Sequence, residues 1–352
     1  NTIITLRLFS YNFESLGYEF NFTDNLGLPS SLTYIDFYRL RPVGSFNFEY
    51  IYPLNDLERL DLSGLPNNIL TGTIDWIKLS QMPNLRQIFM QYRLFDGDIG
   101  AIKNFSCPLE KINLHQCFQS GTFDMKSLNS VQNTLTEFLI GDPKGGLTTN
   151  LDLNVFTNFT KLRVLDIHLS SALGTIKAID SLPLPSTLQV FHIQRNNLND
   201  EIDWNIFRNI KNMISFRIFD NSLLNGTVDW DIVKNMYTNT GSNEETIFRI
   251  KHTGLSGNNA NFIGLNLWWI EMDTTYQCDS NTYCKEEYGF YSIDRSHIGF
   301  GRRQNILPEC TCLCSNGTLT IISDLCPTTN FTWLPTSSPT TAPTLSPSQT
   351  PS

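Results

Sequence analysis

The apolar residues of the chain follow one short pattern: an apolar residue, with two more placed three and five positions later. Leu57, Leu60 and Leu62 show it clearly, and from there the pattern starts again every 24 to 28 residues. Further copies begin at Leu85, Leu109, Leu135, Leu162, Leu188 and Met213, with weaker ones at Ile3, Leu32, Glu245 and Phe262. Alternating apolar and polar residues over so short a stretch predict a β-strand. The regular period indicates that similar units stack on one another.

A second motif follows the predicted strands. It occurs as LTGTIDW (70–76), LNDEIDW (198–204) and LLNGTVDW (223–230), with partial copies SGTFD (120–124) and LGTI (173–176). Its aspartates, Asp75, Asp203 and Asp229, are expected to be N-caps of short helices. Near-helical apolar spacing extends this expectation over 203–213. The tryptophans that follow these aspartates are expected to pack into the core rather than bind carbohydrate.

The two motifs together resemble the extracellular leucine-rich-repeat family, particularly its plant-type consensus L-x-x-L-x-L-x-x-N-x-L-x-G-x-I-P. The resemblance covers about residues 1–270, or about ten repeats, and implies an α/β solenoid whose parallel strands form a concave sheet. This sequence departs from the consensus at two positions. The ladder asparagine occurs only at Asn196 and Asn221, with Cys117 as a substitute, and aspartate replaces the consensus proline. Ligand specificity therefore does not follow from the resemblance.

In such a sheet, residues that alternate with the core face outward on the concave side, where solenoids usually bind. The candidate binding residues on that face are Asp61, Phe89, Asn113, His115, Asp166, His168, His192, Arg217, Arg249 and Lys251. The same register assigns Arg59, Ser63, Gln194, Phe219 and Trp268 to it. Leu60 and Leu62 are expected to point into the core.

Two groups within this face carry chemistry. His168 and His192 are expected on neighbouring strands, where Asp166 would complete a metal site; a solvated polar face that carries histidine by chance is the preferred interpretation. Arg217, Arg249 and Lys251 form a basic cluster that would meet an acidic glycan or partner, or balance nearby carboxylates.

Composition and charge exclude several classes of function. A net charge of −9 over 352 residues argues against a nucleic-acid partner. No metalloprotease, hydrolase or phosphate-binding motif occurs, so we expect neither an enzyme nor a cofactor. The longest apolar run, 262–270, is interrupted by Gly264 and Asn266 and is shorter than a membrane span. Because the chain begins at Asn1, inside the repeat pattern, we expect a mature or trimmed product.

Sequons and cysteines together indicate the secretory route and an extracellular or cell-surface location. The N-glycosylation sequons are at Asn21, Asn104, Asn158, Asn225, Asn316 and Asn330. Six of the eight cysteines lie in a predicted C-terminal cap, residues 271–333: Cys278, Cys284, Cys310, Cys312, Cys314 and Cys326. We expect three disulfides there, with the pairing open; a zinc site is the alternative. Cys107 and Cys117 would form a fourth bridge, unless Cys117 is a buried thiol at the ladder position.

The last segment, residues 334–352, has a proline every four residues, with serine and threonine between the prolines. This composition predicts an extended, polyproline-like tail that cannot form a core. Its candidate O-glycosylation sites are Thr336, Ser337, Ser338, Thr340, Thr341, Thr344, Ser346, Ser348 and Thr350. Dense glycosylation, or contact with another subunit, would order it. The plan of repeats followed by such a tail is similar to that of the leucine-rich-repeat extensins of plant walls, although their Ser-(Pro)n blocks are absent.

Two hypotheses of function follow. The first is a secreted, non-enzymatic structural glycoprotein that assembles with copies of itself into an extracellular fibril or a cell-wall or surface layer. The alternative is a ligand-binding ectodomain of a stalked receptor, adhesin or inhibitor, with an extracellular protein or glycan as its partner. Since a fold does not determine a function, the environment of the tail is what discriminates between the two hypotheses.

Overall fold

A computed structural model describes residues 5–7, 20–21, 27–37, 42–64, 70–117, 120–141, 147–168, 173–175, 182–240, 246–256, 269–271, 276–279, 282–284, 310–314 and 319–322. None of the helices in these ranges has the length and apolar composition of a membrane-spanning segment. The predicted tail, 334–352, lies outside the described residues.

Eleven parallel strands form one sheet, and their spatial order is their order along the chain. They are Thr5–Arg7, Tyr34–Asp36, Arg59–Asp61, Gln87–Phe89, Lys111–Asn113, Glu137–Gly141, Val164–His168, Val190–His192, Ser215–Arg217, Ile247–Arg249 and Trp269–Glu271. The strands occur once per sequence repeat, as the apolar pattern predicts. Their central apolar residues align across the sheet, for example Leu60 with Ile88 and Ile112, and these side chains are fully buried.

The last repeat corrects the predicted register. The apolar pattern places a strand around Leu265, but the structure pairs Phe248 with Ile270, in the strand Trp269–Glu271. The reason is length: a repeat of 17 residues from Phe248 to Leu265 would be shorter than the roughly 20 residues that one such unit needs. Trp268, which we assigned to the concave face, lies outside the described residues.

Smaller parallel sheets flank the main one, and the sequence analysis did not anticipate them. One contains Phe20–Asn21, Pro42–Ser45, Leu70–Thr73 and Leu94–Asp96; a second contains Thr122–Phe123, Thr148–Asp152 and Leu173–Thr175; a third pairs Asn221–Thr227 with Thr253–Ser256. The glycine of the LTGT segment allows the first of these sheets to pack closely. Gly72 has φ +151°, and a Cβ at this position would lie 2.5 Å from the carbonyl oxygen of Phe46 in the preceding repeat.

Short helices close the repeats on the side opposite the main sheet. Two are α-helical, Trp76–Ser80 and Trp230–Met236, and the others are 3-10 turns: Phe48–Tyr50, Ile99–Ala101, Met125–Val131, Leu153–Asn158 and Trp204–Phe207. The predicted N-caps are confirmed, because the carboxylates of Asp75, Asp203 and Asp229 accept backbone N–H bonds of the first turn. Asp98, Asp124 and Asp152 do the same in other repeats.

The helix expected over 203–213 is shorter than its apolar spacing suggested, because the structure has only the single 3-10 turn Trp204–Phe207 there. One turn suffices to bring Ile206, Phe207 and Ile210 into the core. The packing role expected of the tryptophans is confirmed: Trp76, Trp204 and Trp230 are at most 4% exposed. The aromatic rings of Phe191, Phe216 and Phe248 stack at centroid distances of 5.5 and 5.3 Å, which links three repeats through the core.

The ladder position after each strand is a structural feature even where asparagine is absent. Asn196 donates through Nδ2 to the carbonyl oxygens of Ile167 and Ile193, and Asn221 donates to those of Ile193 and Ile218. Cys117 donates to Met90 O, and buried Arg93 donates to the carbonyl oxygens of Leu62 and Ser63. Thr253 donates to Ile250 O. Arg93 and Thr253 were missed because neither residue resembles the consensus asparagine.

The residue before each of these ladder positions has a positive φ, a conformation that costs a non-glycine residue about 1–2 kcal/mol. These residues are Tyr92, Gln116, Arg195, Asp220 and His252, with φ between 54° and 57°. The coincidence in all five cases shows that the ladder hydrogen bonds hold the chain in a strained turn after the strand.

The proposed bridge between Cys107 and Cys117 is wrong, because both residues are free buried thiols. The alternative, a thiol at the ladder position, is confirmed for Cys117. Burial raises the pKa of Cys107 to about 11 and that of Cys117 to about 12, so both remain protonated at neutral pH.

The cysteine-rich segment has a different strand pattern. Tyr276–Asp279, Thr282–Cys284, Cys310–Cys314 and Leu319–Ile322 form an antiparallel sheet, whose backbone register places Cys284 opposite Cys312. The disulfides of this segment stay a prediction, and Cys326 lies outside the described residues.

We predict that Asn221→Ala lowers the free energy of unfolding by about 3 kcal/mol, since it leaves two buried carbonyls and the N–H of Asn196 without a ladder partner. Urea denaturation followed by circular dichroism measures this. Asn129→Ala, at an exposed asparagine, is the matched control and should change stability by less than about 0.5 kcal/mol. Equal stability of the two variants would contradict the ladder's role.

Candidate functional site

The concave face is the side of the eleven-stranded sheet that carries the residues alternating with the core. The strand register arranges its side chains in rows that run across the repeats. One row reads Asp36, Asp61, Phe89, Asn113, Leu139, Asp166, His192, Arg217 and Arg249. The register therefore places seven of the ten predicted binding residues in a single row. His168 lies two residues further along its strand, whereas His115 and Lys251 lie two residues beyond the ends of theirs.

Several of these residues are more buried than a solvated face would be. Asp61, Asn113, His168 and His192 are between 4% and 9% exposed. Neighbouring parallel strands are about 4.8 Å apart, so polar side chains in one row cover each other. Asp61 and Ser63, which we assigned to the concave face, are only 4% and 3% exposed.

Charges in the N-terminal part of the face pair with one another. Arg59 contacts the carboxylate of Asp61 at 2.7 Å and lies 4.6 Å from the centre of the Phe89 ring. Lys111 contacts Glu137 at 2.6 Å on the next repeats. This part of the face is therefore electrostatically balanced at the level of neighbouring side chains.

The middle of the face holds a histidine cluster, which we define as His115, Asp166, His168 and His192. The two carboxylate oxygens of Asp166 lie 2.5 Å from Nδ1 of His168 and 3.0 Å from Nδ1 of His192. The imidazole rings of His115 and His168 are 4.8 Å apart. The predicted proximity of His168 and His192 is thus confirmed, with Asp166 between them as a hydrogen-bond acceptor.

Gly141 makes room for this arrangement. It lies beside His168 in the sheet register, and a Cβ there would be 2.1 Å from Cε1 of His168 and 2.5 Å from Nδ1 of His115. Any larger residue would push the two rings apart. The sequence gives no signal for this role, because a glycine at the end of a strand usually indicates a turn.

Ser215 is the polar residue that sequence reasoning missed. Its Oγ lies 2.8 Å from Nε2 of His192, whose Nδ1 contacts Asp166. The order of contacts is that of a serine–histidine–aspartate triad. Acyl transfer also needs donors aimed at a developing oxyanion, and these are commonly main-chain N–H groups. The main-chain N–H groups of a β-strand point sideways in the plane of the sheet and not toward its face. The N–H of Ser215, for example, donates to the carbonyl oxygen of Gln189.

The cluster has a defined electrostatic state. Burial raises the pKa of the Asp166 carboxyl, but the hydrogen bonds and charges of His168 and His192 outweigh burial and hold the pKa well below its ordinary value. Burial lowers the pKa of His192, and the positive charge of Arg217 adds to this effect against the opposing attraction of Asp166. Asp166 is therefore ionised and His192 is neutral near pH 7. Among the described residues, no group of three or more His, Cys, Asp or Glu side chains is placed to hold a metal ion.

The C-terminal part of the face carries the basic cluster, Arg217, Arg249 and Lys251. Arg217 and Arg249 are in-register neighbours on adjacent strands. The guanidinium of Arg249, in the repeat after Phe219, lies 4.2 Å from the centre of the Phe219 ring. The guanidinium of Arg195, in the repeat before Phe219, lies 5.9 Å from the same ring centre. Arg195 also contacts Asp220 at 3.5 Å. The register places Glu271 next to Arg249 at the end of the sheet.

The predicted N-glycosylation sites that the structure describes with their side chains lie away from the concave face. Asn104 follows the turn Ile99–Ala101, Asn158 ends the turn Leu153–Asn158, and Asn225 lies in the flanking strand Asn221–Thr227. All three are exposed. Asn21 belongs to the flanking strand Phe20–Asn21, whereas Asn316, Asn330 and the O-glycosylation sites lie outside the described residues.

No protein-family model matches the sequence, and no curated protein is significantly similar to it. Solved structures are similar in fold. The structure of PEPR1–AtPEP1 matches with a TM-score of 0.51 at 19% identity, covering 70% of this chain and 36% of that one. The ectodomain of GASSHO1/SCHENGEN3 from Arabidopsis thaliana gives 0.43 at 15%, covering 70% and 36%. Internalin C2 from Listeria monocytogenes gives 0.39 at 16%, covering 63% and 83%.

This chain thus spans about a third of the length of the first two of these structures. At such low identity the likeness concerns the fold alone. Together with the eleven-stranded parallel sheet, it makes the fold leucine-rich-repeat-like.

We predict that stability falls as the pH is lowered below about 6.5. The pKa of His192 is lower in the folded than in the unfolded chain, so the unfolded chain takes up the proton first. Its contribution is complete above about pH 6.5 and is lost as the pH falls toward the folded pKa. The lowered pKa of Asp166 adds a second loss, which begins only near pH 4.

Urea denaturation at pH 7.5, 6.5, 5.5 and 4.5 measures this dependence. His192→Gln should flatten the part between pH 6.5 and 5, whereas His252→Gln, at an exposed histidine, should leave it unchanged. A wild-type stability that is constant from pH 7.5 to 5 would show that the predicted proton linkage is absent.

Proposed function

We propose that this chain is an extracellular, non-enzymatic binding module whose concave face holds an acidic protein or peptide ligand. The observation that carries the proposal is the basic cluster, placed in register on neighbouring strands of that face. An anionic group bridging Arg217 and Arg249 would receive charge-assisted hydrogen bonds from both. The chain as a whole is acidic, so the cluster is a local feature and not a consequence of composition.

Phe219 supports the same proposal. Its ring lies between the guanidinium groups of Arg195 and Arg249, which restricts the orientations that these long side chains sample. Preorganised arginines lose less conformational freedom when a ligand binds, so more of the interaction energy appears as affinity. The partly exposed ring beside them adds apolar contact area for a peptide side chain.

The position of the sequons also favours the concave face as the binding surface. Glycans at Asn104, Asn158 and Asn225 would cover the helical and flanking sides of the solenoid and leave the concave face accessible. The cysteine-rich segment and the sequons remain the support for an extracellular location. One solved structure of similar fold, PEPR1–AtPEP1, is named for two components. That the present chain also binds a ligand is our inference.

Self-assembly into a fibril or surface layer, with the O-glycosylated tail as a linker, stays a prediction. It depends mainly on residues 334–352, which lie outside the described residues. The binding proposal rests on described side chains, and for that reason we prefer it.

The proposal is tested with the native secreted glycoprotein and a fluorescent peptide of twelve aspartates as the probe. Fluorescence anisotropy at pH 7.4 and low salt should show saturable binding. The double variant Arg217→Glu/Arg249→Glu should weaken binding at least tenfold, because two attractive charges become repulsive. Lys126→Glu, at an exposed lysine in the turn Met125–Val131, is the matched charge reversal and should have little effect.

A parallel selection of random displayed peptides on the same glycoprotein should enrich aspartate and glutamate. The absence of saturable binding, or equal losses in the double variant and in Lys126→Glu, would overturn the proposal. A selection that enriches basic or purely apolar peptides would do the same.

A further inference from the structure

The histidine cluster and the basic cluster meet at one place in the sheet. Asp166, His192 and Arg217 are in register on three adjacent strands, so His192 lies between a carboxylate and a guanidinium. Ser215, on the strand of Arg217, contacts His192 at 2.8 Å. A change of charge on His192 therefore changes the electrostatic potential at Arg217, the first arginine of the proposed anion site.

We propose that protonation of His192, held between Asp166 and Ser215, strengthens the binding of acidic ligands to the concave face as the pH falls from 7.4 to 5. The proposal rests on the proposed function, because it concerns the same site. It assigns to His192 a regulatory role that the sequence pattern did not suggest.

The hydrogen bonds define where the proton goes. Ionised Asp166 only accepts hydrogen bonds, so both histidines carry their hydrogen on Nδ1. In neutral His192 this leaves Nε2 as the acceptor of the Ser215 hydroxyl hydrogen. On acidification Nε2 takes up a proton from solvent, and the hydroxyl of Ser215 rotates to accept the new N–H. The contact is kept while the imidazole gains a full positive charge, so no rearrangement of the sheet is needed.

The groups that face His192 set the sense of the effect. From the strand Val164–His168 come Asp166, which favours the charged imidazole and so raises the pKa of His192, and His168, which lowers that pKa. From the strand Ser215–Arg217 come Ser215, which is compatible with either state, and Arg217, which opposes the charge. An anionic ligand on Arg217 neutralises that opposition. Binding and protonation then favour each other, and by linkage each must raise the other to the same degree.

The burial of the cluster makes this coupling stronger than surface charges would allow. The side chains of His168 and His192 are 8% and 11% exposed, and that of Asp166 is 15% exposed. Charges in such an environment are less screened by water and salt than those of His252, whose side chain is 60% exposed. His252 contacts Asp220 and not Asp166, which makes it a suitable comparison.

The experiment uses the full native glycoprotein and the same twelve-aspartate probe, whose carboxylates stay largely ionised down to pH 5. Affinity is measured by anisotropy at pH 7.4, 6.5, 5.8 and 5.2 at constant ionic strength. The wild type should bind the probe at least about fivefold more tightly at pH 5.2 than at pH 7.4. Whatever its affinity at pH 7.4, His192→Gln should change its affinity less than twofold over the range, while His252→Gln should retain the wild-type dependence.

A second measurement does not depend on the variant's folding. The imidazole Cε1 resonance of His192 is titrated by NMR with and without the probe, and its midpoint should move to higher pH when the probe is bound. Probe binding at pH 7.4 that requires Arg217 and Arg249 but is independent of pH would overturn this inference and leave the proposed function intact. A dependence removed by His252→Gln, or an unmoved His192 midpoint, would overturn it as well. No binding at any pH would overturn both.

Discussion

The strained turn that follows five of the concave strands is the constraint on which the rest of the structure depends. A residue with positive φ precedes a side chain that donates into the carbonyl groups left open between repeats, as at Arg195 and Asn196 or Asp220 and Asn221. These ladder bonds offset the cost of the turn, and those of Arg93, Cys117, Asn196 and Asn221 also join one repeat to its neighbour. In five repeats the chain turns at the same point after the strand, and the apolar centres of the eleven strands, from Leu6 to Ile270, align.

The register of the strands then determines which polar side chains become neighbours on the concave face. A slip of one residue in the strand Val190–His192 would exchange Phe191 and His192 between core and concave face. In the observed register, Asp166 falls beside His192 and His192 beside Arg217. Residues separated by about 25 positions in sequence thus become lateral neighbours, and polar groups that would be solvated on an isolated strand are buried against one another. The low pKa of Asp166 and the lowered pKa of His192 are consequences of that packing.

Much of the fold was predictable because one apolar triplet determines the strand and one aspartate determines the helical turn. The strand positions, the N-caps Asp75, Asp203 and Asp229, and the burial of the tryptophans all follow from local patterns. The ladder roles of Arg93 and Thr253 were not predictable, since a guanidinium or hydroxyl reaches the same carbonyls with different geometry. The roles of Ser215 and Gly141 were not predictable for another reason, because each role depends on a side chain in a neighbouring repeat. The last strand was predicted at the wrong position because the apolar triplet was used without the repeat length. Leu265 fits the triplet, but a strand there would make the last repeat too short.

The most direct test of this account is a crystal structure at neutral pH of the chain expressed through a secretory pathway that can attach N-linked glycans. We predict the carboxylate of Asp166 between the Nδ1 atoms of His168 and His192, with Ser215 at Nε2 of His192 and Arg217 on the adjoining strand. The face that carries them should be free of N-linked glycan. A register shifted by one residue in the strand Val190–His192 or Ser215–Arg217, or glycan covering the basic cluster, would contradict the account.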